Sequence, residues 1–228
     1  FDINFKFSKN IKYNFFPSPH FTTTDSRIFN NKNEISKIKK LKVFVSFDDL
    51  FSLKNIKVQD LVFENANFYL SKKNYNFFFN LINKNFEDGD IIIKNSNIFF
   101  KNSEDEVLFI NKILKMKYYY EKKELKNIFY SENEIFKIPF SIESFLNKNK
   151  NKVYSKINLN LMQMKIENEL SIKDEKKAGK SEFVLNKLKR IIEYQVDKNS
   201  FNFHIFDKRE EPNITYKGKI NLKPFYAT

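Results

Sequence analysis

The 228-residue sequence contains no cysteine and no tryptophan, and it has only three glycines and two histidines. Without cysteine there is no disulfide and no thiol chemistry. The histidines, His20 and His204, stand far apart in the sequence and do not form a zinc motif. Three glycines also cannot support the usual glycine-rich nucleotide loops or a nucleophile elbow. We therefore expect no enzymatic activity, no metal and no cofactor.

Two short segments resemble functional motifs only in part. Gly179-Lys180-Ser181 matches the end of a phosphate-binding loop, but that loop needs an earlier glycine where this chain has Asp174. The acidic run Glu104–Glu106 lacks the alternating oxygen ligands and the glycine of a calcium loop. We interpret this run as a solvated hairpin tip. No stretch reaches the roughly 18 apolar residues that a membrane-spanning helix needs.

The chain is strongly basic, with a formal net charge of +13. Lysines supply nearly all of the positive charge and are spread along the whole chain, whereas arginine occurs only at Arg27, Arg190 and Arg209. Nucleic-acid sites favour arginine, so we expect a solvated lysine surface and no nucleic-acid partner. The 28 phenylalanines and many lysines, asparagines and isoleucines are residues of A/T-rich codons and indicate an A/T-rich genome.

Alternation of apolar and polar residues is the dominant pattern. It occurs at Leu41, Val43 and Val45, and again at Phe201, Phe203 and Ile205. A period of two predicts half-buried β-strands. Asparagine, aspartate and lysine mark the predicted connections, since asparagine and aspartate tolerate left-handed turn geometry. These connections are Asn30–Asn33, Glu87–Asp90, Asn102–Glu106, Asn147–Asn151 and Lys173–Lys180.

One strand-like phrase occurs twice, at Phe63–Leu70 and at Ile93–Phe100. Each copy reads apolar, charged, asparagine, small, asparagine, and then three apolar or aromatic residues. A looser echo is Val196–Phe203. Such self-similarity predicts one structural unit that is used more than once.

These patterns predict a mainly β fold, an extended antiparallel and curved, groove-like sheet with a few short helices. Helical signals are confined to Ser46–Leu53 and Tyr75–Asn83. Ser181–Val196 fits both periodicities, and we favour a strand for its second half. We expect a single β-rich region over 1–228, with a potential subdivision near 147–152, and we interpret it as part of a longer protein.

Several strands carry apolar residues on both faces. Phe44 and Phe99 stand between apolar neighbours, and Met162 and Met164 follow Leu159 and Leu161 on the other parity. A strand that is apolar on both faces is either central in a core or lines an apolar groove. Both alternatives stay open at this point. Phe44, Phe99, Met162 and Met164 are the candidate groove residues.

The order of the segments resembles the AsmA-like proteins of Gram-negative envelopes, which include the TamB-type and YhdP-type bridge proteins. The segments that carry this resemblance are Ile38–Phe51, Leu53–Phe63, Ile91–Phe100 with Val107–Tyr118, and Tyr216–Phe225. One departure is Tyr75-Asn76-Phe77, which stands where the family segment ends in asparagine and tryptophan.

The resemblance implies a non-enzymatic periplasmic protein, anchored to the inner membrane by an N-terminal helix that is not present in this chain. It also implies a role in phospholipid transport and outer-membrane assembly through an apolar β groove. The expected partners are phospholipid or the membrane surface, and other envelope proteins. The alternative hypothesis is a β-rich scaffold or adhesion module without a ligand.

Overall fold

The structure is a computed structural model. It describes residues 3–8, 10–30, 33–46, 58–71, 73–74, 89–124, 126–147, 151–173, 176–197, 200–207, 215–222 and 225–227. The chain divides into two compact units, Phe1–Ile138 and Pro139–Thr228. Residues 147–152 lie within the second unit. The predicted helices at Ser46–Leu53 and Tyr75–Asn83 fall almost wholly outside the described residues.

The described part of the first unit contains eight strands. They are β1 (Ile3–Lys6), β2 (Ile11–Asn14), β3 (His20–Asn30), β4 (Asn33–Val45), β5 (Val58–Leu70), β6 (Asp90–Lys101), β7 (Val107–Glu121) and β8 (Lys126–Ile135). Strands β3 to β8 pair in chain order, and β1 and β2 both pair with β3. The segments Ile91–Phe100 and Val107–Tyr118 lie in β6 and β7, which pair in antiparallel fashion.

Eight further strands follow, together with one short helix. They are β9 (Ile138–Asn147), β10 (Lys152–Leu159), β11 (Met164–Lys173), β12 (Lys176–Leu185), β13 (Leu188–Val196), β14 (Ser200–Phe206), β15 (Thr215–Leu222) and β16 (Phe225–Ala227). A 3₁₀ helix, Asn160–Met162, joins β10 to β11. Each strand pairs with the next in antiparallel fashion. The mainly β prediction is confirmed.

Two sequence predictions need correction. Strands β5 and β6 are parallel, not antiparallel. A parallel pair needs a long connection, and the stretch between Leu70 and Asp90 supplies it. In addition, the predicted connection Lys173–Lys180 is mostly strand, because β12 already begins at Lys176. The second half of Ser181–Val196 is a strand as predicted, and its first half is the end of β12.

The repeated phrase forms the parallel pair itself. Phe63 pairs with Ile93, Glu64 with Lys94, and Phe68 with Ile98, so the two copies lie side by side without any shift. Asn65 and Asn95 hold the third position of the phrase, and both have a positive φ, 53° and 47°. Because left-handed geometry is strained for most side chains, asparagine suits this position.

The left-handed residues belong to a row that crosses the first unit, which we call the corner row. It consists of Asp25, Lys39, Asn65, Asn95 and Leu114, all skipped in the strand pairing. The strands bend here. Phe63 and Phe68, on either side of the row in β5, have ring centroids only 6.3 Å apart. In a flat strand they would lie about 16 Å apart and on opposite faces.

The core of the first unit lies inside this bend. The side chains next to the corner row on the inner side are almost wholly inaccessible: Ser26, Ile38, Ala66, Ser96 and Ile113. Three of them, Ser26, Ala66 and Ser96, are small. Ala66 and Ser96 occupy the small position of the repeated phrase. Ser96 Oγ accepts a hydrogen bond from the Ala66 amide at 2.9 Å and donates one to the Lys94 carbonyl at 2.8 Å. The Ser96 hydroxyl thus provides a hydrogen-bond partner for the buried Ala66 amide, which the strand pairing does not.

Asparagine and aspartate replace glycine at most of the left-handed positions, as predicted. Among the described residues, six of the ten non-glycine residues with a positive φ are asparagine or aspartate. The turn of Asn186 and Lys187 between β12 and β13 has both φ values positive, at 45° and 69°. This is the geometry of a tight two-residue hairpin turn.

Candidate functional site

The second unit has two chemically different faces. Residues that pair across neighbouring strands point to the same face, so the register assigns each side chain to a face. We call one of them the apolar face. It carries Ile142, Leu146, Val153, Ile157, Leu159, Met164, Ile166, Leu170, Phe183, Leu185, Leu188, Ile192, Tyr194, Val196, Phe201, Phe203, Ile205 and Ile220.

The apolar face is only partly covered. In the described part of the second unit, Ile191 and Ser200 are the only buried residues, and Ile191 points to the other face. Every side chain of the apolar face is therefore half-buried or exposed. Side chains of a closed core would instead be inaccessible, as in the bend of the first unit. Extended accessible apolar surfaces are typical of sites that bind a ligand, a membrane or another protein.

One end of the apolar face is its most exposed part, and we call it the tip patch. It consists of Leu161, Met162, Met164, Leu185 and Leu188. Leu161 is 73% exposed, Leu188 55% and Met162 48%. The backbone amide of Asn186 donates a 3.2 Å hydrogen bond to the Gln163 carbonyl, which ties the two hairpin ends together. Met164 pairs with Leu185, which pairs with Leu188, and the candidate residue Met162 lies in the 3₁₀ helix at the same end of the sheet.

The apolar face also carries Lys177 and Arg190, which pair with Val196 and Phe183, and a polar strip interrupts it. The strip runs across β9 to β12 through Ser144, Ser155, Asn168 and Ser181. Ser144 Oγ and Ser155 Oγ lie 2.9 Å apart, and Ser181 Oγ donates to Asn168 Oδ1 at 2.7 Å. These hydroxyl and amide groups satisfy one another, so the strip is compatible with an apolar surrounding.

Tyr194 extends across a neighbouring strand to reach this strip. Its ring lies over Gly179, and its hydroxyl donates a 2.7 Å hydrogen bond to Asn168 Oδ1. A Cβ at position 179 would lie 2.3 Å from Tyr194 Cζ, so only glycine fits. Burial raises the pKa of the Tyr194 hydroxyl, and hydrogen bonds with Asn168 and Ser181 only partly oppose this effect. Tyr194 also stacks on Phe201, with centroids 5.3 Å apart.

The opposite face is charged. Lysine and glutamate alternate there across the strands, for example along Glu169, Lys180, Glu193, His204 and Lys217. Lys180 Nζ lies 3.5 Å from Glu193 Oε1. A depression of about 660 Å³ lies along this row. Its walls include Glu169, Lys180, Glu193 and Lys217, and none of the four candidate groove residues lines it.

The other two candidate groove residues lie in the first unit, on the face opposite its core. Phe44 stacks on His20 with centroids 4.8 Å apart, and Phe99 contacts Tyr69 at 5.7 Å. Phe44 is level with Asp60 of β5, whereas Phe99 is level with Tyr69, nine residues further along the same strand. The structure does not bring these two rings together.

The partial motifs also have clear positions. Glu104 and Glu106 lie in the β6–β7 turn, where their backbone amides donate to Asn102 Oδ1 at 2.9 Å. This is the hairpin tip that the sequence predicts. Gly179-Lys180-Ser181 lies inside β12 and not at the start of a helix. Across the described ranges, no three histidine, aspartate or glutamate side chains are grouped to hold a metal ion.

No family model matches this chain, and no curated protein matches it either. Within the described residues, no helix is both long and apolar enough to cross a membrane. The features above therefore stand on the geometry of the chain alone. Sequence reasoning missed the contrast between the two faces, although alternation in β10, β13 and β14 contains it. The contrast between the faces depends on which residues of neighbouring strands pair, and the sequence alone does not give that register.

Proposed function

We propose that the chain is a non-enzymatic envelope module that carries the acyl chains of phospholipids on the apolar face of its second unit. The observation that carries the proposal is the accessibility of this face. Its side chains are aliphatic or aromatic in most rows, yet almost no side chain of the unit is buried. Hydrocarbon is the ligand chemistry that matches such a surface.

The expected affinity fits transport better than storage. Complete burial of a methylene contributes about 0.8 kcal/mol, and an open face covers about half of each group. A bound lipid is then held by many weak contacts along its chains, none of them specific. Because no single contact fixes its position, such a lipid can slide along the rows.

The resemblance to AsmA-like proteins supports the same proposal. It would place the module in the periplasm, attached to the inner membrane through a helix outside this chain. Phospholipid would then move toward the outer membrane along the apolar face, with other envelope proteins as neighbours. The tip patch, which includes Met162 and Met164, would be the entry or exit end of the path.

Native mass spectrometry of the purified protein, followed by lipid extraction, tests the proposal. We expect phospholipid to co-purify and a fluorescent fatty acid to bind and be displaced by phospholipid. The variants Met164→Glu and Phe203→Glu place a charge at the two ends of the apolar face. We expect each variant to reduce binding about tenfold, since a charge on the face costs more than the few methylenes it displaces.

The matched control is Phe145→Glu. Phe145 is half-buried in the same unit but points to the charged face, where it stacks on Tyr154 at 4.9 Å. This variant should keep wild-type lipid binding. Circular dichroism and urea unfolding show which variants stay folded. A folded wild-type protein that binds neither lipid nor fatty acid, or equal loss in all three variants, would refute the proposal.

The first unit favours a second candidate function, a structural β scaffold without a ligand. Its apolar side chains are buried inside the bend, with Ile38, Leu41, Ala66 and Ile113 at most 1% exposed. A core of this kind stabilises the unit and keeps these side chains out of reach of a ligand. A lipid-free, stably folded protein in the experiment above would support this function for the whole chain.

A further inference from the structure

A short segment at the edge of the first unit exposes an unusual run of large apolar side chains. Ile11 is 55% exposed, Tyr13 39%, Phe15 56% and Phe16 89%. Phe16 is the most exposed large hydrophobic residue in the described part of the chain. We call Ile11–Phe16 the aromatic edge. Single exposed apolar residues are ordinary, but four within six positions need an explanation.

The aromatic edge continues the core face of the first unit. In the β2–β3 pair, Tyr13 lies opposite Phe21 and Ile11 opposite the buried Thr23. The Tyr13 ring contacts Phe21 at 5.1 Å and Phe15 at 4.8 Å between centroids. The three rings therefore form one cluster whose inner member packs on the sheet and whose outer member faces solvent. This contact holds the exposed rings in place.

The stretch of sequence that contains the aromatic edge carries positive charge only. Residues 3–24 contain Lys6, Lys9 and Lys12 and no aspartate or glutamate. Lys6 and Lys12 are both exposed. Aromatic rings beside lysines are the side chains that occupy the headgroup region of a bilayer, where the ring is partly dehydrated and the ammonium meets lipid phosphate. The combination therefore complements an anionic lipid surface.

We propose that the aromatic edge docks the first unit onto an anionic phospholipid bilayer, with Phe15 and Phe16 inserted at the headgroup level and Lys6 and Lys12 against lipid phosphates. This inference does not depend on acyl-chain binding by the second unit, because it concerns different residues in a different unit. It assigns the bilayer surface, and not a single lipid molecule, as the partner of this edge.

The absence of tryptophan makes a direct test available. Phe16→Trp introduces one tryptophan into a chain that has none, so its emission reports on position 16 alone. The probes are vesicles of pure phosphatidylcholine and vesicles of phosphatidylcholine mixed with phosphatidylglycerol. We expect a blue shift with the mixed vesicles only, and a loss of the shift when salt is added, since salt screens the lysines.

The matched control is Phe136→Trp. Phe136 is also highly exposed, at 78%, but lies in the turn after β8, far along the chain from the aromatic edge. Its tryptophan should keep the same emission in every vesicle. Both replacements are at exposed rings, so folding should be unaffected.

Vesicle flotation of further variants completes the test. We expect Phe15→Ser/Phe16→Ser and Lys6→Glu/Lys12→Glu to reduce the bound fraction by about tenfold, and Phe136→Ser to leave it unchanged. Flotation that is equal in all variants, or blue-shifted emission of the Phe16→Trp variant already without vesicles, would overturn the proposal. The second result would assign the edge to a protein contact. Loss of lipid co-purification with intact flotation would refute only the acyl-chain proposal.

Discussion

The side-chain amide of Asn97 donates a 3.1 Å hydrogen bond to Asn67 Oδ1, and these two asparagines hold the same place in the repeated phrase. Their strands are parallel, so a residue and its copy thirty positions later stand directly side by side. The repeat is therefore visible in the structure as a ladder. It places like residues together at most levels of the pair, with Glu64 beside Lys94 as an exception, so a substitution in either copy probes the same local geometry.

The left-handed asparagines of the ladder predict a specific mutational pattern. Replacement of Asn65 or Asn95 by alanine should lower the free energy of unfolding by about 1 kcal/mol, because alanine tolerates a positive φ poorly. Replacement by glycine should cost less, since glycine has no Cβ to clash. Urea unfolding measures both. Equal stability of the alanine and glycine variants would show that backbone geometry does not select asparagine here.

The contact of Tyr194 with Gly179 predicts a strong dependence between these two positions. Gly179→Ala should destabilise the second unit by about 1–3 kcal/mol, because the new Cβ displaces the ring. In a Tyr194→Ala background the same change should be nearly neutral. The double-mutant cycle, measured by urea unfolding, isolates this coupling. Additive effects would mean that the ring does not occupy this space.

The buried phenol of Tyr118 predicts a loss of stability at alkaline pH. Burial raises the pKa of Tyr118 to about 12, above its ordinary value of 10. Below pH 10 the hydroxyl is neutral in both states, so its contribution is fully present. Between pH 10 and 12 the unfolded state ionises first, and stability falls as pH rises. Urea unfolding in this range should show a smaller fall for Tyr118→Phe.

The control for this prediction is Tyr216→Phe, at a tyrosine that is 60% exposed. This variant should keep the wild-type profile between pH 10 and 12. An unchanged profile in Tyr118→Phe would instead show that other groups cause the alkaline loss.

The ion pairs of Glu64 predict the opposite pH dependence. Burial raises the pKa of this carboxyl, but Lys42 at 2.9 Å and Lys40 at 3.3 Å more than offset the effect, and the net pKa is lowered. The stabilisation is therefore present above the ordinary carboxyl pKa and is lost as pH falls through the lowered value. Glu64→Gln should reduce this acid loss.

At neutral pH the same variant should cost no more than about 1 kcal/mol, because the pairs are partly exposed. Glu104→Gln, in an exposed turn, is the control. Stability curves of Glu64→Gln and wild type that coincide from neutral to acid pH would contradict the prediction.

Sequence pattern predicted the strands well, and it predicted their arrangement less well. Alternation at Leu41, Val43 and Val45 identifies β4, and the run Phe201, Phe203 and Ile205 identifies β14. The parallel pairing of β5 with β6 was missed, because alternation records which face a residue occupies and not the direction of its neighbour. The first part of β12 was missed as well, since its lysines and glycine are typical of a turn.

The candidate site was predicted only in part, for a similar reason. Met162 and Met164 lie in the tip patch, while Phe44 and Phe99 lie far apart in another unit. Each residue was identified from its own strand, whereas a surface depends on which rows become neighbours. The tip patch needs Leu185 and Leu188, which reach it only through the register of β11, β12 and β13.

The corner row has a consequence for how such a chain can lengthen. Each strand that crosses it supplies its own bending residue, and three of the five also place a small buried side chain beside the bend. A duplicated segment of this length would thus already contain the bending residue and the small buried side chain that a strand needs to pair at the corner row. Internal duplication of such a segment would leave the neighbouring strands unchanged. The two phrases, which stand thirty residues apart, are consistent with one such duplication.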